Sequence, residues 1–367
     1  MKTETVKGFR DVTGKQAVLR ARIKKIIEET YLLYGFEPAE TPVIEYEEFG
    51  KGENSGDEAV SDIFRLSDKG KRKLALRYEF TFQLKRLAKN KKLPFKRYQI
   101  GYVFRDEPIR EARYRQFIQC DADIIGSSIK DEAENLKILQ EILERLNIES
   151  KIYINNRKLL NEILESIGIA EKNRSEVIRI VDKLDKLPEK EIKQELKKYN
   201  AEKALAIFKK SEKDFEKYKS YAEIKELKKW CKNFGVKVCF QPTLARGLSY
   251  YNGTIFEIKS KEIKQTISGG GSYMVNGIQS TGISFGMAAL ELLAKLKQDQ
   301  KKVLIISINQ DQKSINLSNI LRENKVICSI NSSGKVGKAM EYTNSYDYNY
   351  VIIIGENEVK SGEYTLK

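Results

Sequence analysis

The sequence contains no histidine and only four cysteines among its 367 residues. Without histidine there can be no Ser-His-Asp triad, no Cys-His pair and no histidine-ligated metal. The cysteines are too scattered to match a zinc knuckle or a disulfide framework, which favours reduced and buried thiols. Any catalysis must therefore depend on Arg, Glu, Asp, Gln and Tyr. The cysteines are Cys120, Cys231, Cys239 and Cys328.

Long hydrophobic runs are missing as well. The longest strand-like apolar stretch, residues 350–354, is far shorter than the roughly 20 apolar residues that a membrane-spanning helix needs. Residues 1–7 are polar and lack the apolar region of a signal peptide. These absences predict a cytoplasmic protein with no membrane partner.

Positive charge is abundant. Lysine and arginine total 67 against 52 aspartates and glutamates, which gives a net charge of +15. A field of this sign attracts a polyanion such as nucleic acid and raises the rate of encounter with it. A surface rich in lysine and glutamate can equally reflect the composition of a proteome or adaptation to heat. The charge alone leaves both interpretations open.

Apolar periodicity predicts the elements of a mixed α and β core. The helix and strand patterns are clearest in the first part of the chain, where an amphipathic helix precedes an extended arm with prolines. A second strand and helix follow, and then two antiparallel strands enclose a charged connection. The predicted ranges are a helix at 16–34, the arm at 36–43, a strand at 73–77, a helix at 79–88, and strands at 97–104 and 116–124.

The remaining patterns divide the chain into domains. Residues 171–232 are dense in lysine and glutamate and indicate helices without strands, whereas 303–354 alternate strand and helix signals in a β-α-β-α-β series. Such a series is typical of a small parallel sheet. We predict an α+β fold with a core formed by residues 1–170 and 234–299, a helical insertion at 171–233, and a C-terminal α/β domain at 300–367.

The charged connection at residues 104–117 holds four arginines in a strand-loop-strand segment. Guanidinium groups can clamp phosphates through paired hydrogen bonds, and Glu107 is placed to accept a hydrogen bond from an amine. A solvated hairpin face would carry the same charges. The segment by itself does not decide between these interpretations.

The order of motifs along the whole chain resembles that of histidyl-tRNA synthetases, a family of class II aminoacyl-tRNA synthetases. Residues 104–108 (FRDEP) and 113–126 resemble motif 2, and residues 35–43 resemble motif 1, the dimer-forming helix and strand. The most specific match is LARGLSYYNGTIFE at residues 244–257, similar to a signature largely confined to this family and its regulatory paralogues. Shorter matches lie at residues 7–11 and 76–81.

The resemblance implies a fold, a reaction and partners. It implies an antiparallel-sheet core of the class II type with a helical insertion, an anticodon-binding-like C-terminal domain, and a homodimer. The implied activity is that of a histidine-tRNA ligase, which joins histidine to ATP as histidyl-adenylate and transfers it to tRNA(His). Mg²⁺ would accompany ATP, without assigned protein ligands.

The resemblance also assigns residues to the nucleotide. Adenylation brings a carboxylate against a phosphate, so cations must offset charge that builds on phosphorus and pyrophosphate. Arg105 and Arg246 match family arginines that approach the α-phosphate from opposite sides, and they are the expected catalytic residues. Glu107 would accept from the adenine amino group, and Arg113 would hold the outer phosphates.

The amino acid needs an ammonium site and an imidazole pocket. Polar contacts to the imidazole nitrogens would reject apolar analogues strongly. The insertion would contact the acceptor-stem backbone of the tRNA, and the C-terminal domain would contact anticodon bases, unless that domain serves only in dimer packing. By position, the ammonium ligands are Glu79, Thr81, Gln119 and Asp123, and the imidazole pocket is formed by Tyr250, Tyr251 and Tyr273.

Several positions depart from the family pattern. Motif 3 ends in Gly-x-Glu-Arg in the family, where this chain has Ala288 and Ala289 in place of the charged pair. Ser249 stands where the family usually has Asp, and Ser-Tyr-Met at residues 272–274 replaces Arg-Tyr-Asp. The chain ends at Lys367, short of the last elements of the family's anticodon domain, which indicates a truncated or a naturally reduced protein.

These departures sustain two other hypotheses. A catalytically silent paralogue, like the regulatory subunit of ATP phosphoribosyltransferase, would keep the histidine pocket and lose ATP chemistry, but it usually lacks an anticodon-like domain. A structural or RNA-binding protein would keep only the scaffold and would show an eroded pocket. The presence of Glu79, Arg105, Gln119 and Arg246 favours the synthetase.

Overall fold

The computed structural model describes residues 3–51, 62–110, 113–185, 187–246, 250–296, 301–333 and 335–367. The chain divides into two compact units, Met1–Lys295 and Leu296–Lys367. Within the described ranges, every helix is too short or too polar to cross a membrane.

The first unit contains both strands and helices. Its strands, in chain order, are β1 (Glu37–Pro38), β2 (Ile44–Tyr46), β3 (Arg65–Ser67), β4 (Lys73–Leu76), β5 (Phe95–Phe104), β6 (Gln116–Ile125), β7 (Lys151–Asn156), β8 (Val238–Phe240), β9 (Tyr251–Lys259), β10 (Thr266–Val275) and β11 (Ile278–Gly286). Its helices are α1 (Gly14–Leu33), α2 (Glu47–Lys51), α3 (Leu84–Leu87), α4 (Ile129–Arg145), α5 (Arg157–Ser166), α6 (Glu171–Asp182), α7 (Glu189–Lys197), α8 (Lys203–Phe208), α9 (Tyr221–Asn233) and α10 (Met287–Leu293).

Most of these strands form one large sheet, with the order β1-β5-β6-β11-β10-β9-β7-β8 among the described residues. Neighbouring strands are antiparallel except at the two outer pairs, β1 with β5 and β7 with β8, which are parallel. A smaller antiparallel sheet has the order β2-β4-β3. This architecture confirms the predicted α+β class with a core dominated by an antiparallel sheet.

Helices α1 and α4 pack together, and α4 also contacts β10 and β11. Helix α1 buries Ile23, Ile27 and Tyr31 at helical spacing, so its apolar stripe faces the core. Helix α4 begins at a capping box in which the Asp131 carboxylate accepts from the Ser128 backbone N–H at 2.8 Å. The two helices therefore form a stable layer of the core.

Alternation along β6 separates a helix-facing side from a polar side. Cys120, Ala122 and Ile124 are fully buried, and the Tyr31 hydroxyl of α1 donates to the Cys120 carbonyl. Successive side chains of a strand point to opposite faces, so Gln119 and the acids at 121 and 123 must face away from α1. This polar face is where a site can form.

The second unit is a three-layered α/β fold over its described residues. Its elements are β12 (Lys302–Ser307), α11 (Asp311–Glu323), β13 (Ile327–Asn331), α12 (Val336–Ser345), β14 (Tyr350–Ile354) and α13 (Glu356–Ser361). The strand order is β13-β12-β14, and both pairs are parallel. The predicted β-α-β-α-β series is confirmed.

One predicted helix is wrong. Residues 79–88 were expected to be helical, but the helix there covers only Leu84–Leu87. The preceding carbonyl groups bond to arginines from other segments: Tyr78 accepts from Arg105 Nε at 3.1 Å, and Phe80 accepts from Arg97 Nη2 at 2.9 Å. Because these carbonyls are taken by side chains, the segment stays irregular and leads Glu79 into the core.

Candidate active site

A cleft of about 500 Å³ opens on the polar face of the large sheet. Among the residues that line it are ten of the eleven site residues predicted from the sequence. Glu107 does not line it, but its carboxylate lies 3.8 Å from Arg105 Nη1 and 3.7 Å from Arg113 Nη1. The ten lining residues are Glu79, Thr81, Arg105, Arg113, Gln119, Asp123, Arg246, Tyr250, Tyr251 and Tyr273.

Strand pairing fixes the floor of the cleft. Gln119 and Asp123 of β6 lie opposite Gly286 and Gly282 of β11. A Cβ atom on Gly282 would overlap the Asp123 carboxylate and would lie 2.9 Å from the Tyr273 hydroxyl. Glycine at position 282 therefore lets these two side chains meet across the sheet.

Arg105 lies just beyond the end of β5, on one side of the cleft. In addition to its bond to the Tyr78 carbonyl, its Nη2 donates to Gln119 Oε1 at 3.5 Å. Its guanidinium group lies 5.3 Å from the centre of the Phe117 ring. These contacts hold the cation in one orientation while leaving it partly exposed to a ligand.

Arg246 approaches the cleft from the segment before β9. Its guanidinium group lies directly over the backbone of Gly269, where a Cβ atom would overlap it, and its Nη1 lies 3.3 Å from Glu257 Oε1. Burial acts to lower the pKa of Arg246, but Tyr251 and Glu257 favour the charged form and leave the pKa raised. A second permanent cation thus faces the cleft, far along the chain from Arg105.

Three buried carboxyl groups line the same cleft as these arginines. Burial raises the pKa of Glu79 to about 8, although the charge of Arg105 acts in the opposite sense. Burial and the neighbouring Asp123 raise the pKa of Asp121 to about 7, and burial also raises the pKa of Asp123, which Arg97 opposes. A cation bound next to these groups would favour their charged forms and lower their pKa values again.

Three tyrosines form an aromatic wall beside the carboxyl groups. The ring centres of Tyr250 and Tyr251 are 4.8 Å apart, and those of Tyr250 and Tyr273 are 5.5 Å apart. Burial raises the pKa of each hydroxyl, so the phenols remain protonated. The Tyr273 hydroxyl donates to Asp123 Oδ1. The tyrosine rings can stack on a planar ring of a ligand, and their hydroxyl groups can form hydrogen bonds with it.

Sequence reasoning gave no role to two charged residues of this region. Asp121 lines the cleft and accepts from Gln119 Nε2 at 2.7 Å. Arg97 is fully buried behind the cleft, with its Nη2 atom 2.9 Å from Asp123 Oδ2. Asp121 could have been predicted from the sequence, because it is two residues from Asp123 on the same strand and so lies on the same face. Arg97 could not, because its position follows from the register between β5 and β6, which pairs it with Asp123.

The start of helix α10 lacks the charged pair of the family's motif 3, as the alanines at positions 288 and 289 predict. Ala289 is buried and Ala288 half-buried, and residues 287–293 contain no lysine or arginine. The carboxylate of this helix is Glu291, which accepts from Gln16 Nε2 at 3.0 Å and from Arg20 Nη2 at 3.3 Å. The helix thus anchors α1 but contributes no cation to the cleft.

A second cavity of about 630 Å³ adjoins the cleft and shares Asp182, Ala245 and Arg246 with it. Residues around α6 and α7 of the predicted insertion form one side, and Arg110 of the charged connection contributes to the lining. The cavity carries a surplus of basic groups, which suits a phosphate backbone. Its charged lining residues are Arg110, Arg179, Lys183, Lys198, Arg246, Glu176, Asp182 and Glu195.

In the described part of the chain, no group of three or more acidic or cysteine side chains is close enough together to hold a metal ion. Positions 111–112 and 247–249, including Gly247 and Ser249 of the predicted signature, lie outside the described residues.

Comparisons with known proteins point to one family. The sequence profile described as histidyl-tRNA synthetase matches residues 8–290, and that of an anticodon binding domain matches residues 302–367. Histidine-tRNA ligase 1 of Bacillus cereus is 34% identical in an alignment that covers 100% of this chain and 95% of the relative. Histidine-tRNA ligase of Helicobacter hepaticus is 31% identical, with coverage of 99% and 93%.

Solved structures agree at the level of the fold. Histidyl-tRNA synthetase from Nostoc sp. PCC 7120 superposes with a TM-score of 0.84 at 25% identity, covering 100% of this chain and 97% of that one. A protein from Bacillus halodurans described as an ATP phosphoribosyltransferase regulatory subunit/histidyl-tRNA synthetase superposes with a TM-score of 0.77 at 20% identity, with coverage of 96% and 98%. The relatives with curated names are thus ligases, while the fold is also found in a protein with a regulatory description.

Proposed function

The chain belongs to the histidyl-tRNA synthetase family, and on that premise we propose that it is an active histidine-tRNA ligase. The observation that carries the proposal is the convergence of Arg105 and Arg246, which are distant in sequence, on one cleft that also holds buried carboxyl groups and a tyrosine wall. A protein that had kept only the scaffold would have no reason to keep both cations there.

The proposed first step joins histidine to ATP. A histidine carboxylate oxygen attacks the α-phosphorus, the bond to the bridging oxygen breaks, and pyrophosphate leaves with the electron pair. Arg105 and Arg246 bind the α-phosphate and the carboxylate, and they offset negative charge that grows in the transition state. Their fixed contacts with Tyr78, Gln119 and Glu257 support this role, since groups that are already oriented need no reorganisation during reaction.

The proposed histidine site uses the carboxyl groups and the tyrosines. The α-ammonium group binds among Glu79, Gln119 and the acids of β6, and Thr81 lines the same cleft. The raised pKa of Glu79 indicates that nearby positive charge does not offset the burial of its carboxyl group. An ammonium group bound there would supply that charge. The imidazole lies against Tyr250, Tyr251 and Tyr273.

The nucleotide beyond the α-phosphate is held less completely. Glu107 lies between Arg105 and Arg113, and in the proposal it accepts from the adenine amino group while Arg113 binds the outer phosphates. Mg²⁺ bound to ATP would neutralise part of the phosphate charge, and no residue of this chain is assigned to it.

The proposed second step transfers the histidyl group to tRNA(His). A hydroxyl group of the terminal ribose attacks the carbonyl carbon of the adenylate, and AMP leaves. The basic cavity beside the cleft supports an approach of the acceptor end along α6 and α7, and the match of residues 302–367 to an anticodon binding domain supports contact with the anticodon loop.

The proposal includes a homodimer that acts in the cytoplasm, where tRNA and ATP are found. Its support is the exposure of apolar side chains at the end of α1 and along β2, in the region that resembles motif 1. Leu33 is 77% exposed and Tyr46 is 59% exposed, so both are available to pack against another chain. Sedimentation equilibrium at micromolar concentration would show a mass of two chains.

A second candidate function is favoured by one observation, the alanines at positions 288 and 289. A regulatory paralogue would bind histidine but would not use ATP. The anticodon-binding match of residues 302–367 counts against it.

Histidine-dependent exchange of labelled pyrophosphate into ATP separates the two functions. Exchange followed by charging of tRNA(His) would establish the ligase. Histidine binding by calorimetry, with no exchange above a reaction without histidine, would establish the silent paralogue instead.

A further inference from the structure

Arg97 is the largest fully buried side chain among the described residues, and it carries a charge. It lies in the middle of β5, opposite Asp123 of β6, and it is absent from the lining of the cleft. A buried guanidinium group is unfavourable unless a nearby charge and hydrogen bonds compensate for lost hydration. A position that keeps arginine under these conditions needs a reason.

The contacts of Arg97 account for only part of its hydrogen-bonding capacity. Its Nη2 atom lies 2.9 Å from Asp123 Oδ2 and donates to the Phe80 carbonyl at 2.9 Å. Its Nε and Nη1 atoms have no hydrogen-bond partner within the described residues. Two hydrophobic residues of similar volume would satisfy the interior better than this pair. The arginine is therefore better explained by what it does to Asp123 than by stability.

The contacts of Asp123 divide between its two oxygens. Oδ2 faces Arg97, and Oδ1 accepts the hydrogen of the Tyr273 hydroxyl. A hydroxyl group has one hydrogen and two lone pairs. With its hydrogen directed to Asp123, Tyr273 can only accept a hydrogen bond from a ligand in the cleft. A carboxylate has no hydrogen to donate, so a charged Asp123 fixes the direction of this bond, and the cation behind it favours the charged form.

Arg97 also binds the segment that carries Glu79 and Thr81. The Phe80 carbonyl that it binds lies between Glu79 and Thr81, whose side chains line the cleft. One guanidinium group thus bridges the segment that carries Glu79 and the strand that carries Asp123.

We propose that Arg97 is a positioning residue that holds Asp123 as an acceptor, so that Tyr273 presents a lone pair to a ring N–H group of the amino acid. The inference rests on the proposed function, since it names how that site selects its ring. Loss of Arg97 leaves Asp123 buried without its cation, so that the carboxyl group takes up a proton. A protonated carboxyl group can donate to Tyr273, which frees the hydroxyl hydrogen of Tyr273 to turn toward the ligand.

The reversal of that hydrogen bond can be tested by comparing the affinities of two ligands. A loss of stability would change both affinities alike, whereas the reversal would change their ratio. The two probes are histidine and 2-thiazolylalanine, whose five-membered ring has an acceptor nitrogen but no N–H group. We expect the wild-type protein to bind histidine more tightly by at least about tenfold, because an acceptor in the pocket rejects a ring without a donor. In Arg97→Met the ratio of the two dissociation constants, measured by calorimetry, should fall to within about threefold of one.

Variants distinguish this role from support of the fold. Arg97→Lys keeps a cation and should recover part of the discrimination. Arg97→Met/Asp123→Leu removes both charges and the acceptor of the Tyr273 hydrogen; it should recover folding if the single variant is unstable, and it should still lack discrimination. Arg145→Met is a matched control, since Arg145 also bridges two elements, with Nη2 2.6 Å from Glu29 Oε2, but far from the cleft. It should lower the melting temperature and leave the ratio unchanged.

The outcomes separate the inference from the proposed function. If the wild-type protein discriminates and Arg97→Met, or the double variant where the single one does not fold, discriminates equally well, Arg97 has only a structural role and the inference fails alone. If the wild-type protein binds no histidine, the proposed function fails and takes the inference with it.

Discussion

Substitution of Gly269 by alanine should disable adenylate formation without harming the fold. The backbone of Gly269 lies in β10 beneath the Arg246 guanidinium group, and a Cβ atom there would overlap two of its atoms and lie 3.0 Å from Nη2. The guanidinium end of an arginine is mobile, whereas the strand is paired on both sides. The side chain will therefore move and the sheet will stay.

The size of the effect follows from that displacement. Carbon and nitrogen atoms in ordinary contact are about 3.5 Å apart, so the guanidinium group must shift by on the order of 1 to 2 Å. A misplacement of about 1 Å in a catalytic group can cost about 100-fold in rate. The turnover number for adenylation should thus fall by about 100-fold, or about 2.7 kcal/mol of barrier, close to the effect expected for Arg246→Ala.

Pyrophosphate exchange with saturating histidine and ATP measures this turnover number, and calorimetry reports whether histidine binding is kept. The matched control is Gly253→Ala in the neighbouring strand β9, where the new Cβ would meet only the Ser272 side chain, at 3.3 and 3.5 Å. Both variants should melt at or slightly above the wild-type temperature, because alanine loses less backbone entropy than glycine on folding. Wild-type exchange by Gly269→Ala would refute the placement of Arg246 in the reaction.

Three further predictions concern the nucleotide, pH and tRNA. Ala288→Glu/Ala289→Arg should lower the KM for ATP by about tenfold, since one restored charge-assisted contact is worth about 1.5 kcal/mol or more; an unchanged KM would show that other groups hold the nucleotide. Because the folded-state pKa of Glu79 is raised from 4.5 to about 8, the charged form is disfavoured in the fold. The free energy of unfolding of the ligand-free protein should fall as pH rises through that window, by up to about 1.4 kcal/mol per pH unit from this group. In Glu79→Gln, the free energy of unfolding measured by urea titration should lack this contribution to its dependence on pH. Lys183→Ala/Lys198→Ala should weaken tRNA binding and reduce the slope of log K against log salt by about one for each lysine, whereas an unaltered slope would place the acceptor end elsewhere.

The sequence predicted the parts of the site that follow from local patterns. Alternation along residues 116–124 predicts a strand, and it puts Gln119 and Asp123 on one face whatever the tertiary structure. The charged connection after Phe104 predicts a cluster of arginines. Bringing Arg246 to that cluster required the resemblance, because no local pattern relates residues so far apart in sequence.

The failures came from contacts between distant segments. The expected helix at residues 79–88 was lost because Arg97 and Arg105, from β5 and just beyond it, take the carbonyls of Phe80 and Tyr78. Propensity describes a segment by itself and cannot anticipate such partners. For the same reason Arg97 appeared to be one more basic residue, and its burial followed only from the register that sets it opposite Asp123.

The alanines of motif 3 affect a different part of the reaction from the arginines that converge on the α-phosphate. In the family that the chain resembles, the motif 3 arginine packs against adenine, which is the same in substrate and transition state, so loss of that contact raises KM rather than slowing the chemical step. In the proposed reaction, Arg105 and Arg246 act where charge develops, and both are held by contacts that do not depend on helix α10. The same helix keeps a structural role, since Glu291 anchors Arg20 of α1. A chain can therefore lose the motif 3 pair and remain a ligase wherever ATP is abundant, whereas loss of either converging arginine would remove the chemistry itself.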